Sequence, residues 1–436
     1  MKIVASNDLP AGLPLADRTH EALLRELFEV GCGAVAAERC LPSRLPGPAR
    51  GKTLVLALGK AGAAMARVAH RHMEGEVEGI VLTRYGHSYP AHDMPPGFVV
   101  YEAGHPLPDA HGIAATQRII EAVGMLGPDD QLLALVSGGT SALLTKPAPG
   151  VTLADKQEVT RQLLQCGASI AEINCVRTHL SAVKGGRLTL EAAPARVVTL
   201  VLSDIAGDIA ALVGSGPTLP DRTRLLDARR ILDRYGIQAP EHVRDALLDE
   251  GNETPTGSSE IFAHAETTII GCSANALQAA GQMAHAAGYT PVYLGDVEGD
   301  STEAGTIHAA LALHHAGKGG KWALLSGGET TVVVRNEAGR GGRNTEYLLS
   351  LALALDGEAG IYALACDTDG IDGTSENAGA IITPTTLKRG RQRGLPAADA
   401  LRRNDSYVFF EGLGDLVVTG PTRTNVNDFR VILVDR

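Results

Sequence analysis

The chain of 436 residues reads as an α/β protein built on parallel sheets. Three observations predict this. Short apolar runs recur along the sequence, and each ends in a cluster of Gly, Ser or Asp. Between the runs lie Ala/Leu/Arg-rich stretches with helical spacing. The segment ALVSGGTS at 134–141 is echoed by ALLSGGET at 323–330, a strand followed by a Ser-Gly-Gly turn each time. Two such matches fit two similar domains without establishing a duplication.

In chain order, residues 21–30 carry a helical pattern, and the Pro-rich, Asp/Glu-poor stretch 41–48 is a loop before the first strand. The apolar run 53–58 ends at Gly59-Lys60. The run 131–136 ends at Ser137-Gly138-Gly139-Thr140, and 196–202 ends at Ser203-Asp204. The run 267–270 ends at Gly271-Cys272-Ser273, 321–325 at Ser326-Gly327-Gly328-Glu329, 361–365 at Cys366-Asp367, and 415–418 at Thr419-Gly420-Pro421. Unbroken apolar runs of this length suit strands buried on both faces. Helical stretches at 112–126 and 218–235 supply crossovers. In such folds ligands sit beyond the carboxyl ends of strands, where the Gly/Ser/Asp clusters fall. The polar loop 250–259 is the expected linker, dividing the chain into domains 1–250 and 260–436.

Composition excludes several classes. With 39 Lys plus Arg against 50 Asp plus Glu, a net charge of −11 and no basic tail, nucleic acid and anionic membrane are poor partners. Aromatic residues are only 4%, too few for base-stacking platforms. Cys32, Cys40, Cys166, Cys175, Cys272 and Cys366 form no C-x-x-C pair and no zinc spacing, which fits a cytoplasmic protein. Residues 1–14 hold no apolar segment expected of a secretory signal, and no apolar stretch approaches 18 residues.

Familiar motifs fail on inspection. Gly51-Lys52-Thr53 imitates the end of a phosphate-binding P-loop, but Pro46 stands where its first Gly belongs. The G-x-G-x-x-A at 31–36 follows a helical pattern rather than a strand. Asn275 spoils a nucleophile elbow at 271–275. Ile371 and Ala378 spoil a calcium loop starting at Asp367. The pairs His70/His72 and His87/His92 match no standard metal motif.

Other segments survive. Gly59-Lys60 follows a buried-type strand and opens a small-residue helix, where free N–H groups and an ammonium would hold an anion; a plain turn with a surface Lys accounts for the same residues. Ser137-Gly138-Gly139-Thr140-Ser141 and Ser326-Gly327-Gly328-Glu329 offer hydroxyls and backbone N–H groups suited to phosphate, or else ordinary N-capped turns. The stretch 174–188 reads as one helix ending at Gly185-Gly186. Arg177, Ser181 and Lys184 would then share a face by i, i+4, i+7 spacing: either an anion-binding face or a solvated basic one. Asp204, Asp208 and Asp367 lie just past strands, where hard oxygen ligands suit Mg²⁺ and where N-caps also occur. The turn 339–344 concentrates Arg340 and Arg343 ahead of Asn344 and a helix, placing guanidinium groups for a carboxylate or a moving phosphoryl group.

Taken together, 59–61, 136–141, 174–188, 202–208 with 214–218, 325–330, 339–344 and 367–373 resemble the glycerate 2-kinase family, which carries a C-terminal MOFRL domain and some of whose members are also labelled hydroxypyruvate reductases. Residues 425–428 are similar to the family's ending pattern. The resemblance implies a Rossmann-like N-terminal domain, a MOFRL-type C-terminal domain and a cleft between them. It implies ATP-dependent phosphorylation of D-glycerate at its 2-hydroxyl, giving 2-phosphoglycerate and ADP, with catalytic or substrate roles for Lys60 and Arg343. Beside it stand expectations drawn from chemistry. The two Ser-Gly-Gly turns would cradle nucleotide phosphates. Arg177, Lys184, Arg340 and Asn344 would serve the substrate, and Asp204, Asp208 or Asp367 would hold Mg²⁺. Small molecules, and a second copy of the chain in a homodimer, are the expected partners. An NAD(P)H-dependent hydroxypyruvate reductase is the first rival, although no good dinucleotide fingerprint is present; a non-catalytic sensor of the same fold is the second.

Overall fold

The computed structural model describes residues 15–436 apart from Glu337 and Thr374. The reading of residues 1–14 as free of a secretory signal lies outside the described residues. Two compact units emerge. The N-terminal unit comprises Cys40–Ser203 and Asp208–Ile270; the C-terminal unit comprises Asp204–Gly207, Gly271–Arg436 and the described residues up to Arg39.

In the N-terminal unit, strands β1 (Lys52–Leu58), β2 (Glu76–Arg84), β3 (Phe98–Ala103), β4 (Gln131–Val136), β5 (Arg196–Leu202) and β6 (Ala265–Gly271) form one sheet in the order β3-β2-β1-β4-β5-β6. The pairs β1/β2, β1/β4, β2/β3 and β4/β5 are parallel. All six residues of β4, and all of β1 after Lys52, are buried, as unbroken apolar runs require. The strand order reverses between β1 and β4, which makes their carboxyl ends the switch point where open α/β sheets bind ligands.

The division differs from the expected 1–250 and 260–436. The run at 267–270 does not open the second sheet; as β6 it extends the first. Arg196 holds Glu266 at 2.7 Å across that edge. A polar loop marks a break between elements but does not say which sheet the next strand joins. The helix Leu15–Ala34 belongs to the C-terminal unit, where Leu24, Leu27 and Phe28, spaced i, i+3, i+4, pack with Phe429, Val431 and Leu433.

The C-terminal unit has β7 (Thr290–Asp296), β8 (Gly299–Asp300), β9 (Lys321–Gly327), β10 (Thr330–Thr331), β11 (Ile361–Asp367), β12 (Gly379–Ile382), β13 (Leu416–Val417) and β14 (Asp428–Asp435). Its main sheet runs β13-β12-β11-β14-β9-β7, and β8 pairs with β10. Here the expectation of parallel strands is corrected. Only β7/β9 is parallel in the main sheet; β9/β14, β14/β11, β11/β12 and β12/β13 are antiparallel. An apolar run reports that both sheet faces are covered, not which way the strand points. The covering is real. Helices Ser301–Lys318, Arg343–Leu355 and Ser406–Leu413 contribute to one core, while Leu15–Ala34 and Ser273–Ala286 contribute to the other.

One helix is shorter than its sequence pattern. The segment beginning at Ile170 is helical only to His179, and a new helix starts at Arg187. Gly185 and Gly186 have φ of +63° and +83°, so the intervening turns cannot continue the helix. Among the described residues, no helix is long and apolar enough to cross a membrane.

Candidate functional site

At the β1/β4 switch point two turns are locked together. Gly59 has φ +97°, and a Cβ there would lie 2.4 Å from the Ser137 carbonyl oxygen and hydroxyl, so only glycine fits. The Ser137 hydroxyl donates to the Leu58 carbonyl at 2.8 Å and accepts from the Ala61 N–H at 3.1 Å. The Lys60 N–H donates to the Gly138 carbonyl at 2.9 Å. Thr140 Oγ1 donates to the Ser137 carbonyl at 2.7 Å. Ser137 and Thr140 are fully buried. Their hydroxyls are therefore spent on shaping the turn rather than offered to a phosphate, a correction to the direct cradle expected of them. A Cβ on Gly139 would sit 3.3 Å from Lys60 Cγ and 3.1 Å from His105 Cδ2. Gly139 thus lets the Lys60 stem and the His105 ring close over the turn.

Ser141, the last residue of this turn, meets a cationic group. Lys184 Nζ donates to the Ser141 carbonyl at 2.7 Å and to its hydroxyl at 3.1 Å; Arg177 Nη2 donates to the same hydroxyl at 3.2 Å. Ser215 Oγ shares a hydrogen bond with Ser141 Oγ at 2.9 Å. Arg177 and Lys184 are thus brought together as expected, through a helix end and a turn rather than one helical face. A third cation joins them: Lys156 Nζ donates to the Arg177 carbonyl at 3.4 Å. Burial pushes the Lys156 ammonium down to about 7, with Arg177 and Arg187 adding repulsion. Lys184 is driven well below the usual lysine range, first by burial and then by Arg177 and Lys156. A cavity of about 370 Å³ opens on these residues within the N-terminal unit.

The C-terminal unit builds a different centre around Arg343, the first residue of the helix Arg343–Leu355. Its Nε donates to Asp428 Oδ1 at 2.8 Å, Nη1 to Glu329 Oε1 at 2.8 Å, and Nη2 to Asp367 Oδ2 at 2.7 Å. Burial opposes the charge, but the carboxylates of Asp428, Asp367 and Glu329 outweigh it and hold Arg343 well above the usual arginine range. Among the described residues, three of the five guanidinium N–H groups are spent and two remain. Asp428 also takes Asn344 Nδ2 at 2.7 Å and a contact from buried Arg430. Asp372 caps the helix, accepting from the backbone N–H groups of Asn344 and Thr345 at 3.0 Å each. Burial raises its carboxyl above the ordinary range, against those two N–H groups. A Cβ on Gly342 would fall 2.2 Å from the Asp372 carboxyl carbon, so Gly342 admits the cap.

Several expected roles change here. Glu329 cannot cradle a phosphate while its carboxylate serves Arg343. Ser326 and Gly327 belong to β9; a Cβ on Gly327 would meet Ser273 Oγ at 1.9 Å, and one on Gly328 would meet the Val297 nitrogen at 2.3 Å. These glycines serve close chain approach, so the second Ser-Gly-Gly segment is not a copy of the first. Arg340 stacks on Tyr407 at 4.1 Å and reaches toward Glu411, so its guanidinium is engaged within the C-terminal unit. Asn344 is fully buried and orients Asp428 instead of facing substrate.

The carboxylates proposed for Mg²⁺ do not form a protein cage. Among the described residues no three His, Cys, Asp or Glu side chains group as a metal site. Asp367 has one oxygen on Arg343 and the other on the Asp369 N–H at 3.0 Å. Asp204 Oδ2 accepts from Asn425 Nδ2 at 3.3 Å, and Asp208 lies in the other unit with φ +52°. The donor set does not fit a preformed magnesium site.

Residues 23–248 match the family model described as a domain of unknown function, DUF4147, and residues 322–428 match the MOFRL family. A D-glycerate 2-kinase of Thermotoga maritima is 38% identical over 415 residues, spanning 94% of this chain and 97% of the relative. The chain belongs to the glycerate kinase family. A crystal structure of a glycerate kinase from Thermotoga maritima superposes with a TM-score of 0.84 at 37% identity, covering 96% of this chain and 100% of that one. An Agrobacterium vitis protein, provisionally named a hydroxypyruvate reductase, is 46% identical over 425 residues, 96% of this chain and 95% of the relative.

Within this glycerate kinase framework, sequence reasoning missed Lys156, Asp428 and Arg430 as parts of the two centres. Lys156 carried a signal: it interrupts the buried stripe Lys156, Val159, Leu163 of the helix Leu153–Gln165. Asp428 carried only its place in the pattern at 425–428, because its partners Arg343 and Asn344 lie 85 and 84 residues away in the chain and Arg430 lies on β14 itself.

Proposed function

We propose that the protein transfers the γ-phosphoryl group of ATP to the 2-hydroxyl of D-glycerate. The bond from the γ-phosphorus to its bridging oxygen breaks, a bond to the glycerate oxygen forms, and the hydroxyl proton passes to a base. Lys60 carries the reading: it stands at the carboxyl end of β1, beside the Gly138-Gly139 turn, where the sheet order reverses. An ammonium placed there would stabilise charge on the transferring group, which is most of what phosphoryl transfer asks of a protein. Arg343 would use its two remaining N–H groups on the glycerate carboxylate or the phosphoryl oxygens, with Asp367, Asp428 and Glu329 fixing its plane. Glu329, the most exposed of the three with a side chain 53% accessible, would accept the hydroxyl proton. ATP with Mg²⁺ as cofactors, a cytoplasmic setting and a homodimer belong to this proposal.

The reductase reading gains from the strand order, which is that of dinucleotide-binding folds, and from the name of the Agrobacterium vitis relative. It loses at the first turn. Counted from Gly59, Ala61 stands where that fingerprint needs its second glycine to let a pyrophosphate approach the backbone. Pure protein given ATP, Mg²⁺ and D-glycerate should release ADP; given NADH and hydroxypyruvate it should leave the NADH absorbance unchanged. The opposite pair of results would replace the kinase with the reductase.

A further inference from the structure

The cavity beside Ser141 has an unusual lining. It carries Lys156, 8% exposed, and Lys184, 1% exposed, with Arg177, whose carbonyl Lys156 meets and whose guanidinium shares the Ser141 hydroxyl with Lys184. Buried lysines are ordinarily paired with an acid. Among the described residues, none lining this cavity is an Asp or Glu. The hydrogen bonds given for Lys156 and Lys184 run to carbonyl and hydroxyl oxygens, not to carboxylates. Buried this way without a carboxylate, Lys156 and Lys184 are driven toward the neutral form, and an anion bound beside them and Arg177 would restore their charge.

Leu107, Pro108, Leu153 and Leu164 also line the cavity, with Gln157, Thr160 and Arg161, and Leu107 and Leu164 are 73% and 63% exposed. At about 370 Å³, the space is far larger than a three-carbon acid needs and within the range of pockets that enclose a cofactor-sized ligand. A ligand that satisfies both kinds of lining carries several negative charges on one part and an apolar body on another.

We infer that this cavity is the nucleotide site of the N-terminal unit, with the phosphate chain on Lys156, Lys184 and Arg177 and the base against Leu107, Pro108 and Leu164. The inference rests on the kinase reading, and it moves Arg177 and Lys184 from the acceptor to the nucleotide. It also makes Lys156 a phosphate ligand.

The test measures dissociation constants of ADP, tripolyphosphate and D-glycerate by calorimetry on the full chain and on two variants, each first shown to melt like the parent. Leu164→Trp fills the apolar part and should weaken ADP roughly tenfold or more while leaving tripolyphosphate unchanged. Lys156→Gln should weaken ADP and tripolyphosphate alike by roughly tenfold or more, and glycerate not at all. If ADP binds both variants as it binds the parent, and the parent phosphorylates glycerate, the nucleotide sits elsewhere and the inference falls while the kinase reading stands. If Lys156→Gln loses glycerate and keeps ADP, the cavity is the acceptor site and the inference falls. If the parent neither binds ADP nor turns over glycerate, the kinase reading fails and takes this one with it.

Discussion

Replacing Arg343 with alanine would do more than remove a catalytic cation. The guanidinium is 18% exposed and is held at 2.7–2.8 Å by three carboxylates, two of them buried: the Asp428 side chain is 0% exposed and that of Asp367 is 3%. Removing one partner of a buried ion pair leaves an uncompensated charge, which costs about 3–5 kcal/mol. Glu329, half in water, adds at most about 1 kcal/mol. Asp428 keeps Arg430 and Asn344, so Asp367 bears most of the loss and the total should stay within that range. For a unit of this size the melting temperature should fall by roughly 6–20 °C. Arg343→Lys restores a charge but not three bonds in one plane, so it should recover part of the stability and little of the turnover. The assay is thermal unfolding followed by near-ultraviolet dichroism, with activity measured well below the lowered transition. An Arg343→Ala protein that melts with the parent would refute the claim that these carboxylates depend on this guanidinium.

On the proposed reading, Lys60→Ala should lose about 10²–10³ in kcat with a smaller change in melting than Arg343→Ala; equal kcat in a steady-state assay would remove it from the mechanism. Phe28→Ala opens a cavity against Phe429, whose ring centroid lies 5.7 Å away, and should cost about 3–5 kcal/mol, read as an earlier urea transition of the C-terminal unit. Lys156 is depressed in the folded chain to about 7 from 10.5, so the unfolded chain binds the extra proton between those values, and stability rises with pH across that window. Anion binding runs the other way: tripolyphosphate should bind more weakly as pH climbs above about 7, and should take up protons at pH 8. Arg177 and Arg187 face Lys156 and do not titrate there, but Lys184, driven well below the usual lysine range beside it, does; Lys156→Gln should therefore reduce, not abolish, the proton uptake in calorimetry run in buffers of different ionisation enthalpy.

What the sequence made legible is what depends on neighbours in the chain. The buried strands, the turns at their carboxyl ends and the positions of Lys60, Arg343 and Asp367 all follow from runs of a few residues. Strand direction in the second sheet does not, because β14 enters between β9 and β11 from the far end of the chain and carries the same apolar run either way. Partnership is equally hidden. Asp367 and Arg343 were read separately, as a metal ligand and a substrate cation, yet 2.7 Å between them makes each the reason for the other's burial. The two Ser-Gly-Gly segments show the limit most clearly. Their letters agree, but Gly59 presses on Ser137 in one, while Ser273 and Val297 press on Gly327 and Gly328 in the other. Glycine was required in both for lack of room, and what fills the room decides whether anything is left for a ligand. In the first, Ser141 escapes the packing and meets Lys184 and Arg177; in the second, Glu329 escapes it and meets Arg343. The two centres therefore differ in the one residue of each turn that the packing around the glycines leaves to meet a cation.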